Sequence, residues 1–465
     1  MNIRKIIGAL LKHDIFAYAL MGVVLRIVLM PFFIWPSDIV AQQFSLVGIL
    51  NHYDPYSLSV SMYPPFIYIL LYPFLLVASR AGFAFRFYLF PVTFKAGMVT
   101  EMITSSFGDP AFLVFWKVPL LVFDIFTGLL VYGLVKQLTT DTSKAKKGFI
   151  LWFFNPLVLI TSYVHGAFDV IAVFFILLGI YFLSNEKYLL SGISFGFGGI
   201  TKISPFLIAI PLSALVFLTS KNESTRIFLR KRFANTAAFL AGCAIPILLS
   251  IFWNINYYHS LTASTLSELS INGGLNQWFF LANPNLTSSV LSPNLNILTD
   301  IFYLYPIISL IPLLLFRKVF RNSKINSYTI LLFSALSLAI VYLVSPTTVQ
   351  PQYILWLIPV LAVISLRNKS FYWPTATLSL AASAFFFSLQ GPFAFMYPLA
   401  LFTPLYSVNK LNAAIIGYAN APGVFCPLLR EDLCLTFGAV GFFGLMLTIL
   451  LIINALRKID KDAEN

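Results

Sequence analysis

Ile325–Leu366, INSYTILLFSALSLAIVYLVSPTTVQPQYILWLIPVLAVISL, contains no Asp, Glu, Lys or Arg. The stretch Ser370–Asn409 is uncharged as well. Since a transmembrane helix needs about 20 apolar residues, each stretch is long enough for two membrane passes. Long apolar runs of this kind, interrupted by Pro and Gly, differ from the short alternating strands of an outer-membrane barrel. The pattern predicts an all-α polytopic membrane protein.

The composition of the whole chain supports this prediction. Of the 465 residues, 59% are hydrophobic and 10% are charged, whereas soluble domains carry roughly 25% charged residues. The net charge of +13 would suggest nucleic-acid binding in a soluble protein. Here the basic residues fall in short clusters between apolar runs, as the positive-inside rule expects. We therefore predict membrane lipids as the surroundings of the chain and no nucleic-acid partner.

Six clusters of basic residues predict the topology. They are Arg4/Lys5/Lys12, Lys136/Lys144/Lys146/Lys147, Lys221/Arg226/Arg230/Lys231/Arg232, Arg317/Lys318/Arg321/Lys324, Arg367/Lys369 and Arg457/Lys458/Lys461. The apolar run Ile15–Ile34 is too long for a signal peptide and lacks a small-x-small cleavage site, so it is predicted as an uncleaved first span. Placing all six clusters in the cytoplasm gives about 12 spans with both termini inside. These spans are predicted at 14–34, 113–135, 148–163, 169–184, 188–201, 203–220, 234–253, 299–316, 326–344, 352–366, 370–388 and 434–456.

The segments between the spans predict one integral membrane domain, 1–465, with large outer loops. Its parts are the first outer loop 35–112, the helices of 113–253, the polar outer loop 254–298 and the C-terminal helices of 299–465. Within the first loop, Pro64–Ala78 and Phe83–Phe94 are predicted as helices that lie on or dip into the outer leaflet. The predicted outer loop 389–433 contains Cys426, which could form a disulfide with Cys434; the sequence leaves this open.

Charged groups inside spans or at their outer mouths need a physical reason, because one at the membrane centre costs about 2.5–3.5 kcal/mol on insertion scales. The chain has few: Asp38, Asp54, Lys117, Asp124, His165, Asp169 and Lys202. Most of them also have a structural interpretation. Asp38 and Asp169 could each be a helix N-cap, and Asp54 could form a turn. Asp124 could pair with a neighbouring helix, Lys117 could snorkel to the interface, and His165 could be buried in the core. For Lys202, between two short apolar segments, an anionic head group is favoured.

Together these residues place cations and carboxylates at one membrane face, above grooves that could hold a lipid tail. A sugar on a polyprenyl phosphate already has a good leaving group, so one carboxylate base for the acceptor hydroxyl suffices and the anomeric carbon is inverted. Hydrolytic glycosidases need two carboxylates. Asp38 with Lys202 therefore indicates transfer rather than hydrolysis.

Several segments, in order along the chain, carry a resemblance to a known superfamily. They are Ser37-Asp38-Ile39, Asp54-Pro55-Tyr56-Ser57, Met62-Tyr63-Pro64-Pro65, Lys117 to Asp124, Trp152 to Pro156, His165-Gly166-Ala167-Phe168-Asp169, Gly199 to Pro205 and Gln350 to Pro359. In these the sequence resembles the GT-C glycosyltransferases that use polyprenyl-phosphate sugars, above all the PIG-M-type GPI mannosyltransferase catalytic subunit and its prokaryotic relatives. The region after about residue 370 carries no such resemblance.

The resemblance implies a GT-C-like bundle with a donor-lipid groove among its helices and a catalytic carboxylate in the first outer loop, here Asp38. PIG-M has Asp-x-Asp in this loop, whereas this chain has Val40 at the second position, so a divalent metal is disfavoured and no cofactor is predicted. Lys202, Lys117 and His165 are the candidates for the donor phosphate. Candidates for substrate binding are Tyr63, Asp169, Gln352 and Tyr353, the last two being alternatively interface-belt residues.

The sequence thus predicts a membrane glycosyltransferase, specifically a mannosyltransferase. It would move a hexose from a polyprenyl- or dolichyl-phosphate sugar to a lipid-linked or glycan acceptor at the extracytoplasmic face of the cell membrane or, in a eukaryote, the ER membrane. The alternatives are a lipid flippase or secondary transporter, disfavoured because no matching halves are visible, and a structural subunit of a larger complex.

Overall fold

The architecture comes from a computed structural model. It describes residues 15–33, 45–51, 65–83, 87–94, 97–104, 110–218, 225–253, 304–316, 327–344, 351–386 and 431–462. The predicted site residues Asp38 and Tyr63 lie outside the described residues, as do Asp54, Cys426 and the predicted polar loop 254–298.

Helices make up nearly all of the described chain. They are α1 Ile15–Leu29, α2 Pro65–Arg80, α3 Pro110–Thr139, α4 Thr142–Phe153, α5 Pro156–His165, α6 Asp169–Ser184, α7 Tyr188–Gly199, α8 Ser204–Leu218, α9 Thr225–Trp253, α10 Tyr305–Leu315, α11 Ser327–Val344, α12 Ile358–Arg367, α13 372–386 and α14 Glu431–Asp462. A short helix at 45–50 and the 3-10 helix Pro351–Trp356 complete the set. Each predicted span coincides with one of these helices, or with the bent pair α4 and α5.

Among the described residues, α3, α9 and α14 contain stretches long and apolar enough to cross a membrane, and α4 with α5 would add a fourth span. Seven further apolar helices have 10–17 residues. The protein is therefore an α-helical polytopic integral membrane protein. The count of about 12 spans stays a prediction.

The prediction of an interfacial helix at Phe83–Phe94 is wrong. The strand β1, Phe87–Phe94, pairs antiparallel with β2, Gly97–Thr104. The segment FYLFPVTF is rich in aromatic and β-branched residues, which favour strands, and its central Pro91 would interrupt a helix. The other predicted interfacial segment, Pro64–Ala78, does form a helix, α2.

Two separate ends of the bundle are defined by polar contacts. At one end, Arg367 Nη1 donates to the carbonyl oxygen of Leu138 (3.1 Å) and Asn185 Nδ2 lies 3.5 Å from Gln137 Oε1. At the other end, the backbone N–H of Phe66 donates to the carbonyl oxygen of Ile200 (3.1 Å). The predicted cytoplasmic clusters that begin near Lys136 and Arg367 thus share one end. The opposite end holds the turn that contains Lys202.

The helices α7 and α9 pack with their backbones almost in contact, as small residues allow in membrane bundles. A Cβ atom added to Gly192 would lie 1.9 Å from the carbonyl oxygen of Phe239, and one added to Gly242 would lie 2.3 Å from that of Leu189. The nearest atoms in both cases belong to the backbone. A side chain at either glycine would therefore force α7 and α9 apart.

Gly192→Ala is therefore expected to lower the free energy of unfolding by at least about 1–3 kcal/mol, the usual cost of overpacking. Thermal unfolding of the purified protein in detergent measures the change. Gly444→Ala is the matched control, because its Cβ would meet Leu378 at an ordinary 3.4 Å. Equal melting temperatures for the two variants would contradict the close packing of α7 and α9.

Candidate functional site

A broken helix leads the chain to His165 and Asp169, at the same end of the bundle as Lys202. The pair α4 and α5 is bent by 41° at Asn155, whose Oδ1 accepts from the N–H of Leu157 (2.9 Å) and so caps α5. The last part of α5, Ile160–His165, is a π-helix, a rare conformation found frequently at functional sites. Gly166 follows with φ 88°, a value that favours glycine, and the chain turns into α6.

Asp124 of α3 lies at the centre of a buried polar cluster. Its carboxylate accepts from Arg26 Nε (2.6 Å), Trp152 Nε1 (2.7 Å) and the hydroxyl of Tyr163 (2.8 Å). Asp124 and Arg26 are both fully buried, and the guanidinium also lies 3.8 Å from the ring centroid of Phe153. The interpretation of Asp124 as an ion-pair partner for a neighbouring helix is confirmed.

Lys117, two turns before Asp124 on α3, is also fully buried. Its ammonium donates to the carbonyl oxygens of Met30 (3.0 Å), Phe33 and Tyr163 (2.9 Å). Snorkelling to the membrane surface is therefore the wrong interpretation of this residue. An ammonium has three N–H donors, and here each has a backbone acceptor.

Asp169 and Lys202 form the second buried ion pair. Lys202 Nζ lies 2.9 and 3.0 Å from the two carboxylate oxygens of Asp169, and Trp356 Nε1 donates to the same carboxylate (2.9 Å). Asp169 is fully buried, whereas the side chain of Lys202 is 13% exposed. The interpretation of Asp169 as a helix N-cap is wrong, because Phe168 occupies the cap position and the carboxylate binds side chains of other elements.

Aromatic rings surround the ammonium of Lys202. It lies 5.0 Å from the ring centroid of Tyr353 and 5.1 Å from that of Phe168, distances at which a cation is attracted to the ring face. Tyr353 stacks on Trp356 with centroids 4.7 Å apart. The low polarity of this frame strengthens the electrostatic interaction of the ion pair with any charged group beside it.

The remaining predicted residues differ in their surroundings. Gln352 is 6% exposed, and none of the described residues donates a hydrogen bond to its Oε1. His165 is buried, and its ring centroid lies 5.0 Å from that of Phe386. The structure thus brings Lys202, Asp169 and Tyr353 together. It places Lys117 in a different cluster.

Sequence reasoning did not select Arg26 or Trp356 as functional or paired residues. The partner of Arg26 could have been anticipated, because Arg26 is a charged residue inside the first predicted span, and a charge buried there needs an opposite charge or a hydrogen-bond partner. Trp356 lies in the quoted segment Gln350–Pro359, but an indole in an apolar run gives no sign that it donates to a carboxylate. Within the described residues, no group of three or more His, Cys, Asp or Glu could hold a metal ion.

The fold and these clusters define a polytopic α-helical membrane protein with a cation–carboxylate–aromatic site at one end. In sequence, residues 41–272 match the family "GPI transamidase subunit PIG-U". The chain is also 31% identical over 111 residues to GPI mannosyltransferase 1 of Kluyveromyces lactis, which is 23% of this chain and 26% of that protein. It is 29% identical over 133 residues to GPI mannosyltransferase 1 of Saccharomyces cerevisiae, 27% of this chain and 32% of that protein.

Among solved structures, the chain resembles ArnT from Cupriavidus metallidurans bound to undecaprenyl phosphate, with a TM-score of 0.47 and 11% identity over 95% of this chain and 77% of ArnT. The sequence matches confirm the predicted resemblance to the GT-C superfamily. The matched regions cover only about a quarter to a third of the curated mannosyltransferases.

Proposed function

We propose that this protein is a membrane hexosyltransferase, specifically a mannosyltransferase, that uses a polyprenyl- or dolichyl-phosphate sugar. The acceptor is a lipid-linked or membrane-proximal glycan at the extracytoplasmic face. The observation that carries the proposal is the pair of Lys202 and Asp169 at one end of an apolar bundle. The side chain of Lys202 is partly exposed, and the buried carboxylate of Asp169 orients its ammonium. Similarity to the yeast mannosyltransferases supports the choice of sugar.

The donor suits this site in charge. A polyprenyl-phosphate sugar carries one phosphate charge. Lys202 attracts that phosphate by a charge-assisted hydrogen bond and needs no metal ion for it, although Asp169 offsets part of the charge of the ammonium. Asp169 binds the ammonium of Lys202, and Trp356 in turn donates to Asp169, so the position of Lys202 does not depend on the ligand. The bundle below offers apolar surface to the polyprenyl chain.

The proposed reaction is a single displacement. The acceptor hydroxyl oxygen attacks the anomeric carbon and passes its proton to Asp38, while the bond from that carbon to the phosphate oxygen breaks. The polyprenyl phosphate leaves with the electron pair, and its charge stays beside Lys202. Phe66 is hydrogen-bonded to the Lys202 turn at Ile200, and Tyr63 precedes Phe66 by three residues. We therefore propose Tyr63 as a substrate contact.

Gln352 suits a contact with the sugar. Its buried Oε1 meets no donor within the described part of the chain, and an unsatisfied buried acceptor costs about 1–3 kcal/mol. A hydroxyl group can supply that donor, whereas an ionised phosphate only accepts hydrogen bonds. Gln352 precedes Tyr353, whose ring lies beside Lys202, so we place the sugar on this side. His165 stays a weaker candidate for the donor phosphate.

The test is transfer by the purified protein from radiolabelled polyprenyl-phosphate mannose to a lipid-linked acceptor. Lys202→Ala is expected to raise the apparent KM for the donor about 10- to 100-fold, because a hydrogen bond to a charged group contributes about 1.5–3 kcal/mol. Lys147→Ala, an exposed lysine on α4, is the matched control and should not change it.

A second variant separates binding from stability. Lys202→Ala leaves the buried carboxylate of Asp169 without its cation, so the double variant Lys202→Ala, Asp169→Asn removes both charges and gives a neutral, foldable comparison. An unchanged donor KM in the folded double variant would contradict the phosphate role of Lys202.

The family match supports a second function from another class, a non-catalytic subunit of a membrane complex. Residues 41–272 match a transamidase subunit family over a longer stretch than either mannosyltransferase alignment. This function predicts no sugar transfer by the purified wild-type protein, together with stable co-purification of other membrane polypeptides. Transfer by the purified chain alone would exclude it.

A further inference from the structure

We propose that Lys117 is a positioning residue, which fixes the exit turn of α1 at Met30 and Phe33 against the π-helix that ends at His165. The effect of Lys117 on the reaction rate rests on the proposed function. The anchoring of the α1 exit turn by Lys117 does not depend on that function.

The first observation is the end of α1. The last four carbonyl groups of a helix have no partner within the helix, and cations near them are stabilising. Here the cation comes from another helix: Lys117 of α3 binds the carbonyl oxygens of Met30 and Phe33, in the exit turn of α1. Asp38 follows Phe33 by five residues.

The second observation is the third partner of the same ammonium. Lys117 also binds the carbonyl oxygen of Tyr163 (2.9 Å), inside the π-helix. The hydroxyl of Tyr163 donates to Asp124 (2.8 Å). Asp124 follows Lys117 by seven residues on α3, so the two side chains lie on the same face of that helix. Tyr163 is thus held at its backbone and at its side chain, and Lys117 connects it directly to the exit of α1.

The third observation is that the ammonium has no donor left for a substrate. Three N–H groups meet three carbonyl oxygens, and the side chain is fully buried. Lys117 therefore does not bind the donor phosphate, which is left to Lys202. A base displaced by about 1 Å can lower a rate about 100-fold, so loss of this anchor would act on turnover and not on donor binding.

The experiment compares Lys117→Met, Lys117→Gln and the control Lys147→Met in lipid nanodiscs. Hydrogen–deuterium exchange is expected to rise about 10-fold or more in peptides that cover 29–40 and 160–167 for Lys117→Met, and less for Lys117→Gln, whose amide keeps two donors. Exchange in the α7–α9 helix pair should not change. Wild-type exchange in both peptides of a folded variant would overturn the proposal.

Kinetics add a second, separate readout. A positioning role predicts a lower kcat at an unchanged donor KM, whereas a phosphate ligand would raise the donor KM with no change in exchange. Inactive wild-type protein would refute the proposed function alone, since the exchange result would still decide whether Lys117 anchors the loop.

Discussion

Asp124→Asn is expected to be the most destabilising single substitution of a charged residue in the described part of this protein. Three donors from Arg26, Trp152 and Tyr163 meet at the carboxylate. An amide can accept at one oxygen, and its NH2 group would face one of these donors. The buried guanidinium would also lose its counter-charge, which costs about 3–5 kcal/mol, a large part of a typical total stability of about 5–15 kcal/mol.

Unfolding in mild detergent by denaturant or heat measures this loss. Asp141→Asn is the matched control, because Asp141 caps α4 through the N–H groups of Ser143 and Lys144 and Asn is an equally good cap. The double variant Arg26→Met, Asp124→Leu should recover part of the stability, since removing both charges of a buried pair is often neutral. Equal free energies of unfolding for Asp124→Asn and Asp141→Asn would mean that the ion pair of Arg26 and Asp124 is absent.

The helices were largely predictable because lipid imposes a simple rule on the chain. An apolar run of about 20 residues has to be helical, and the uncharged stretch Ile325–Leu366 accordingly gives α11 and α12. The hairpin of β1 and β2 could not be predicted from this rule. Its residues lie between spans, where strand propensity and Pro91 outweigh apolarity.

The candidate site was predictable in part. The sequence selects Lys202 as a cation for an anionic head group. It does not predict the carboxylate of Asp169, with which the structure pairs Lys202. Lys117 was not interpretable in this way, because its partners are backbone carbonyl oxygens, which every residue carries. A sequence shows which side chains are charged, but it does not show where a helix end exposes its carbonyl groups.

The structure divides the charges into two kinds. Arg26, Asp124 and Lys117 are fully buried. They bind one another, Tyr163 or the backbone, and so they hold α1, α3 and α5 together. Lys202 differs, because its side chain is partly exposed beside aromatic rings. Lys117 binds the carbonyl oxygen of Phe33, where the predicted first outer loop begins, and the proposed reaction lies at this end of the bundle.

Asp38→Asn is expected to abolish most sugar transfer by the purified protein. The amide cannot take the proton of the acceptor hydroxyl, and general base catalysis contributes about 100- to 10,000-fold to a rate. The decrease should fall on kcat, since the donor phosphate is proposed to bind at Lys202. The donor KM and the melting temperature should stay close to those of the wild-type protein.

The matched control is Asp54→Asn in the same predicted loop. Asp54 precedes Pro55 and is predicted to form a turn, a role that Asn fills equally well, so this variant should keep its activity. Transfer at the wild-type rate by Asp38→Asn would show that a residue other than Asp38 is the general base. Loss of transfer in Asp54→Asn alone would make Asp54 the next candidate, because a carboxylate that only shapes a turn would tolerate the amide.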